Sequence, residues 1–466
     1  MEKEINFKKD NFIFITKDSL TDYYKIIRII GQGGYGKVYE VQNLKTSRYY
    51  ACKKVSKINI LNYDKFKSEI SIMLKADHPN IVKLYEIYES IKSLYLIMEI
   101  CRGGPLFQKI TERAQEKNMY SEKDAANIFT QIMSAIEYCH IKGIYHRDLK
   151  PENILYLNEV ENEEKNSLKI INFIFSKHFK INKLSSKIGS IYYIAPEVLT
   201  KSYTEKCDIW SAGVLLFLLL SGTLPFNDKE YNQILGKIKA CKYNMNNKIW
   251  NNISNEAKDL IKHMLVPENE RFSAKQVLEH PWFKYVNKIK NKKINIKLDV
   301  FKKYSEENTL KKIILYFIAT RLNEKEIEEL NVLFKKFDKD FDGQINYREF
   351  ENSFTEYQKK NYIFNEKEIK HFFNLIDINK NGKINYSEFI SASIAGRKDI
   401  IERRLLDAFA HFDKNQTGKI KKEDLIKALH VDISLKEKGV ETILNELSDN
   451  ELVDYNQFLN SLRNKI

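Results

Sequence analysis

The stretch "GIYHRDLKPENIL", Gly143–Leu155, crowds His146, Arg147, Asp148, Lys150, Glu152 and Asn153 together, and its meaning depends on what stands on either side. Upstream, "IIGQGGYGKVYEV", Ile29–Val41, sets Gly31, Gly33 and Gly36 between two β-rich runs. The turn therefore joins antiparallel strands rather than a strand and a helix, which argues against a dinucleotide-binding site. Glycines at such a turn let backbone N–H groups approach a phosphate chain without side-chain interference, although a plain glycine hairpin fits the same letters. "YYACKKV", Tyr49–Val55, puts Lys53 on a strand, and "FKSEISIMLKADHPNIVKLYEIYE", Phe66–Glu89, puts Glu69 on an amphipathic helix. Alone, each reads as a solvated charge. Downstream, "LKIINFIFSKHF", Leu168–Phe179, reads as a buried strand running into a loop.

Together these pieces resemble the eukaryotic protein kinases, in family order from Tyr24 to Phe283. The matching parts are GxGxxGxV from Gly31 to Val38, Lys53, Glu69, "YLIMEICRGG" as the hinge, HRDLKPEN, "YYIAPEVL" and "DIWSAGVLLF". The Lys of "HRDLK" and Gly189-Ser190 ahead of "APE" have the Ser/Thr-kinase form. The resemblance implies a bilobal α+β kinase fold and roles position by position. Lys53, held by Glu69, would neutralise the α and β phosphates of ATP. Asp148 would orient the substrate hydroxyl and accept its proton, Lys150 would contact the γ-phosphate, and Asn153 would hold Mg²⁺. Gly31, Gly33, Gly36, Val38, Ala51, Glu99 and Cys101 would line the nucleotide site. Glu197 and Arg271 match the family's buried ion pair, and Met73, Leu84, His146 and Phe173 match its packed spine.

The chain departs from that pattern at Asn172, Phe173 and Ile174, where the family carries Asp-Phe-Gly. Asn172 keeps a carbonyl oxygen for the metal but loses the negative charge that hard cations prefer, so Mg²⁺ binding should weaken and Mn²⁺ could substitute. Ile174, being β-branched, disfavours the backbone freedom glycine gives. Pro105 replaces a Glu that many relatives use near ribose or a substrate arginine, although Glu152 remains. Lys53, Glu69, Asp148, Lys150 and Asn153 all survive, which favours retained transfer. The alternative is a calcium-responsive, nucleotide-binding pseudokinase scaffold. Ser185 and Ser186 in the activation segment are candidates for autophosphorylation.

The C-terminal half carries two calcium loops of the EF-hand pattern, "DKDFDGQINYRE", Asp338–Glu349, and "DINKNGKINYSE", Asp377–Glu388. Asp338, Asp340 and Asp342, then Asp377, Asn379 and Asn381, supply oxygens at alternate positions. Gln344 and Lys383 stand where a backbone carbonyl is used, and Glu349 and Glu388 can close each site bidentately. A third loop, Asp413–Asp424, offers Asp413, Asn415, Thr417 and Lys419, but ends in Asp424, one methylene short, and should hold Ca²⁺ more weakly or favour Mg²⁺. A fourth, Glu446–Gln457, is expected to be empty and structural. Between the halves, "LDVFKKYSEENTLKKIILYFIATRL", Leu298–Leu322, interleaves Phe301, Leu310, Ile313, Ile314, Phe317 and Ile318 with lysines, an amphipathic basic helix suited to an apolar groove.

Kinase, junction and EF-hands in this order resemble the calcium-dependent protein kinases of plants and apicomplexan parasites. That resemblance implies a short extension (1–23), a kinase domain (24–283), an autoinhibitory junction (284–326) and a calmodulin-like all-α domain of four EF-hands in two pairs (327–393 and 394–466). It also implies a junction that blocks the substrate cleft without calcium and is captured by the EF-hands with it, at a midpoint of about 10⁻⁷ to 10⁻⁵ M.

Composition narrows the partners. The net charge is +14, yet residues 331–466 balance 23 basic against 23 acidic side chains, so the surplus lies upstream, much of it in the 10 lysines of Lys284–Lys312. A basic run that short suits a partner-binding helix, and no basic-aromatic interleaving supports nucleic-acid binding. The five cysteines are dispersed and read as reduced thiols. The start "MEKEINFKKD" has no secretion signal and no Gly at position 2, and the longest apolar run, Ala212–Leu220, is too short to span a bilayer. A cytoplasmic monomer with protein substrates and no direct membrane anchor is expected.

Overall fold

The structure is a computed structural model that describes residues 15–33, 36–60, 63, 66, 70, 73–74, 76–159, 166–172, 188–200, 203–286, 299–307, 309–322, 324–358, 364–413, 417–421 and 452–463. Glu69, Phe173, Ile174, Ser185, Ser186, Asn415, Asp424 and residues 446–451 of the fourth loop lie outside the described residues, as does the junction from 287 to 298.

The first lobe is a six-stranded sheet in the order β1-β5-β6-β4-β3-β2. Its strands are β1 (Ile15–Thr16), β2 (Tyr24–Gly33), β3 (Gly36–Asn43), β4 (Tyr49–Ser56), β5 (Leu84–Glu89) and β6 (Ser93–Met98). All neighbours are antiparallel except β1 beside β5. The glycine-rich segment closes the β2–β3 hairpin with Gly33 opposite Gly36. Gly36 has φ +132°, and a Cβ there would fall 2.1 Å from the Lys54 carbonyl oxygen, so only glycine fits. One sheet face closes over Leu20, Tyr24, Val41, Cys52, Tyr85, Tyr88 and Ile97, while Val55, Leu84, Ile87 and Leu96 join the main core.

The second lobe is helical: α1 (Leu106–Gln115), α2 (Glu122–Ile141), α3 (Lys206–Ser221), α4 (Tyr231–Lys239), α5 (Asn255–Met264), α6 (Ala274–Leu278) and α7 (Pro281–Val286). Ser121 starts α2 by accepting the Asp124 N–H over 3.2 Å, and Gly222, at φ +69°, ends α3. The apolar run Ala212–Leu220 is the buried middle of α3. Among the described residues no helix is long and apolar enough to cross a membrane. Arg271 and Glu197 form the expected ion pair, bidentate at 2.5 and 3.1 Å. The hairpin β7 (Ile154–Tyr156) and β8 (Leu168–Ile170) runs between the catalytic loop and Asn172.

A separate core holds α8 (Asp299–Glu306), α9 (Thr309–Arg321), α10 (Glu324–Phe337), α11 (Tyr347–Gln358), α12 (Glu366–Ile376), α13 (Tyr386–Ser393), α14 (Lys398–Phe412) and α15 (Tyr455–Arg463). The calcium loops pair through short strands, β9 (Gln344–Asn346) with β10 (Lys383–Asn385) and β11 (Lys419–Lys421) with β12 (Leu452–Asp454). The junction helices sit inside this core. Phe301 packs on Phe350, Phe354 and Phe389, Phe317 packs on Phe412, and Ile313, Ile314 and Ile318 are buried. The amphipathic junction thus packs its apolar face against the EF-hand helices.

Candidate active site and calcium loops

The catalytic loop is held from beneath by Asp208, at the first turn of α3. Its buried carboxylate accepts the N–H groups of His146 (2.8 Å) and Arg147 (2.7 Å) and bonds His140 Nε2 (2.9 Å). Burial pushes the Asp208 pKa up, but the His140 hydrogen bond and the other donors outweigh it and keep the group below its ordinary value. Arg147 sits at φ +63°, a backbone state that costs energy and persists because neighbours enforce it. His146, fully buried, bonds the Ile171 carbonyl through Nε2 (2.9 Å) and accepts the Asp148 N–H at Nδ1 (3.2 Å).

These constraints present the Asp148 carboxylate to its partners. Lys150 Nζ lies 2.7 and 2.9 Å from its two oxygens, and Asn153 Nδ2 lies 3.0 Å from Oδ2. Asn153 Nδ2 also donates to the Asp148 backbone carbonyl (2.7 Å), which locks the amide's orientation. Asn172 follows β8 at φ +72°, a conformation Asn tolerates better than most residues. Its Nδ2 donates to Asn153 Oδ1 (2.9 Å), and its Oδ1 accepts from Lys53 Nζ (2.6 Å). Lys53, on β4, is buried, and burial brings its pKa down to about 7, with the Asp148 carboxylate pulling the other way.

Five of the expected residues thus meet: Lys53, Asp148, Lys150, Asn153 and Asn172. Val38 stands beside Lys53 in the sheet register, and Ala51 stands beside Met98 at the end of β6. Glu99 turns its carboxylate to Lys169 (3.1 Å) while its N–H donates to the Lys83 carbonyl (2.9 Å), and Cys101 follows it, half-buried. Arg102 and Gly103 then tie the hinge to Leu157 and Tyr156. The amide oxygens of Asn153 and Asn172, which here accept from Asn172 Nδ2 and Lys53 Nζ, are neutral donors of the kind a hard cation could use once those contacts are released, and would add no charge to it.

In the first calcium loop the carboxylates of Asp338, Asp340 and Asp342 lie within 4.8 Å of one another. Asp338 Oδ1 is buried with no partner among the described residues. Burial, then the charges of Asp342, Glu349 and Asp340, push the Asp338 pKa well up. Crowded carboxylates with an unsatisfied oxygen fit a calcium ion. Glu349 Oε1 accepts the N–H groups of Lys339 and Asp340, and Oε2 accepts that of Asn346. In the second loop Asp377 accepts the N–H groups of Asn381 and Gly382, Asn379 bonds Glu388, and burial pushes Glu388 up to about 8. Gln344 turns its side chain to Asn385, and the Lys383 ammonium lies 2.5 Å from Asp342 Oδ2. Gly343 (φ +78°) also needs its missing side chain, because a Cβ there would lie 2.7 Å from His78 and 2.8 Å from Tyr138.

That approach belongs to a seam between the two halves which the sequence does not announce. Asp77 accepts both the N–H (2.9 Å) and the hydroxyl (2.7 Å) of Ser387, at the end of the second loop. Lys83 donates to the Ala319 and Leu322 carbonyls at the C-terminal end of α9, and Arg321 reaches Glu86. Asp208 and these seam residues are the functional positions that sequence reasoning passed over. Asp208 at least had a signal, an acidic residue opening an otherwise apolar helix.

A carboxylate between a lysine and an asparagine, in a chain that also carries a glycine hairpin and paired calcium loops, defines a protein kinase coupled to EF-hands. The protein kinase domain family matches residues 24–283, and the EF-hand domain pair matches residues 328–394. Calcium-dependent protein kinase 5 of Plasmodium falciparum is 39% identical over 461 residues, covering 96% of this chain and 79% of that protein. Calcium-dependent protein kinase 22 of Arabidopsis thaliana is 37% identical over 484 residues, covering 98% and 94%. Calcium-dependent protein kinase 4 of Plasmodium falciparum is 37% identical over 462 residues, covering 95% and 86%. The chain belongs to the calcium-dependent protein kinase family. It is a protein serine/threonine kinase with calcium-binding EF-hands.

Proposed function

We propose that this chain transfers the γ-phosphate of ATP to serine and threonine hydroxyls of protein substrates, and that Ca²⁺ in the loops Asp338–Glu349 and Asp377–Glu388 switches the transfer on. The observation that carries the catalytic half is the Asp148 carboxylate, gripped by Lys150 and Asn153 on a loop that Asp208 pins. Asp148 accepts the substrate hydroxyl's hydrogen bond and takes its proton, and Lys150 turns toward the charge on the transferred phosphoryl group. Lys53 answers the α and β phosphates once protonated. When bound with the nucleotide, Mg²⁺ neutralises charge on the phosphate oxygens, and Asn153 and Asn172 would hold it.

The regulatory half rests on the calcium-loop carboxylates and on the junction's place in the EF-hand core. An EF-hand pair that holds α9 is positioned to keep the junction away from the substrate cleft. The test is phosphorylation of mixed serine, threonine and tyrosine peptides with Ca²⁺ or with EGTA. Phosphoserine and phosphothreonine formed only with Ca²⁺ are expected. Phosphotyrosine as the main product, or equal rates in EGTA, would overturn the reading.

A further inference from the structure

The fourth position of an EF-hand loop stands between two metal ligands and takes no part in coordination. In the second loop this residue is Lys380, whose ammonium turns back to the Asn374 carbonyl of α12 (2.6 Å). In the first loop it is Phe341, and its ring packs against the core of the kinase half rather than the EF-hand core. The backbone is the same in both, with φ +59° at Phe341 and +53° at Lys380, so loop geometry does not call for the ring. An aromatic side chain between Asp340 and Asp342 adds nothing to calcium binding and is unfavourable in water, unless another surface covers it.

That surface is made by residues 76–80 and α2 of the kinase half. His78 is buried, and burial pushes its pKa well down, so the ring is neutral. Its Nδ1 accepts the Asn80 N–H (3.0 Å), which leaves the proton on Nε2 to be donated to Ser134 Oγ (3.0 Å). The Ser134 hydroxyl in turn donates to the Phe341 carbonyl (3.3 Å). Two residues on, Gly343 lies so close that a Cβ would fall 2.7 Å from His78 and 2.8 Å from Tyr138. Tyr138 also accepts the Asp77 N–H (2.9 Å), and Asp77 holds Ser387 of the second loop. One short kinase segment thus meets both calcium loops, and it meets the first through the backbone between its ligands.

We infer that Phe341 is a latch that seats the first calcium loop in the kinase lobe, so that an ion in this loop and docking of the lobe strengthen each other. Charge sets the sign of the coupling. Burial pushes the pKa of Glu137, on α2, upward, His140 and Lys275 pull it down, and the charges of Asp342 and Asp340 raise it further. Docking an empty loop therefore brings like charges together, and Ca²⁺ on Asp340 and Asp342 removes that cost. By thermodynamic reciprocity the docked lobe tightens the ion by the same factor. Phe341 acts as a positioning residue and touches no ion. The latch rests on loop one being a calcium site, as proposed above, and stands whether or not Asn172 permits phosphate transfer.

Calcium titration of the full chain tests it, comparing the parent with Phe341→Ser, Phe341→Leu and Ser134→Ala, each checked for folding by circular dichroism. Glu349→Gln identifies the calcium event that belongs to loop one. Phe341→Ser keeps every ligand and adds no charge, and should weaken that event by about fivefold to tenfold. Phe341→Leu should stay near the parent. Ser134→Ala changes only the kinase half and should weaken the event by about threefold. Hydrogen exchange in saturating Ca²⁺ gives a readout that a merely local effect on the loop would leave unmoved: in Phe341→Ser the amides of Asp77 and Asn80 should exchange faster. If no calcium event depended on Glu349, the calcium reading of loop one would fall and the latch with it. A Glu349-dependent event of parental midpoint in both Phe341→Ser and Ser134→Ala, or parental exchange at Asp77 and Asn80, would overturn the latch alone.

Discussion

Replacing Asn172 by Asp probes how this site handles charge. Asn172 Oδ1 is 2.6 Å from Lys53 Nζ, and its amide donates to Asn153 Oδ1 over 2.9 Å. The lowered pKa of Lys53, about 7, means that its charge is present below that pH and lost as pH rises through it. An opposite charge at this position raises such a group by about 1 to 3 units. Near neutral pH Lys53 is therefore only partly protonated in the parent chain and more fully so in N172D. KM for ATP should therefore climb from about pH 7 to about pH 8.5 in the parent and stay flatter in the variant. The metal effect is larger, because a charged group aimed at the reacting phosphates is worth about 10² to 10³ in rate. The same change sets two oxygens, those of Asp and Asn153, against each other when no metal is bound. N172D should thus be faster in Mg²⁺ and depend on it more steeply. Steady-state kinetics against ATP, Mg²⁺ and pH measure both effects. A variant with the parent's rate, the parent's Mg²⁺ requirement and the parent's pH course would refute the reasoning.

The remaining predictions address the loops and the seam. Glu349→Gln/Glu388→Gln removes both closing carboxylates and should abolish the calcium response in activity and in exposure of apolar surface. A double variant that still responds would disprove switching through these loops. Asp208→Asn leaves the amides of His146 and Arg147 facing a neutral partner and should cut kcat by about 10²-fold or more, with a lower melting temperature; parental kinetics would show that the loop does not need this anchor. The Glu388 carboxyl, raised from its ordinary 4.5 to about 8, contributes stability below pH 4.5 that is lost as pH rises through 8. In EDTA the EF-hand half should melt at falling temperature across that window, and Ca²⁺ should remove the trend. A melting temperature that rises with pH in EDTA would contradict the assignment. Asp77→Ala strips the buried acceptor from Ser387 and should cost about 1 to 3 kcal/mol of docking, read as faster hydrogen exchange around Ser387. Unchanged exchange there would show that this pair does not hold the seam.

The catalytic loop was legible because phosphate chemistry demands particular side chains at short spacing, so Asp148, Lys150 and Asn153 declare themselves together. The calcium loops were legible for the same reason, with every ligand inside one turn of chain. The motif that opens at Asp208 was legible but the residue's role was not, since its work is done on backbone amides sixty-one and sixty-two residues away and leaves no local spacing to read. The seam was invisible for a stronger reason. Asp77 and Ser387 are 310 residues apart and Lys45 and Asp413 are 368 apart, and no local spacing in the sequence joins the members of either pair. Lys383 shows how a correct position can hide a second role. Its place suggested only a backbone carbonyl for the second loop, whereas its ammonium crosses to Asp342 of the first because β10 pairs with β9.

The most direct measurement is single-turnover transfer of phosphate from ATP by the purified full chain, with saturating Ca²⁺ and with EGTA, in Mg²⁺ and in Mn²⁺, beside Asp148→Asn as the blank. Calcium-dependent transfer that disappears in the blank is the result expected of a kinase that works with Asn172. Transfer no faster than the blank in every condition, with ATP still bound, would contradict it and leave a calcium-responsive nucleotide-binding scaffold.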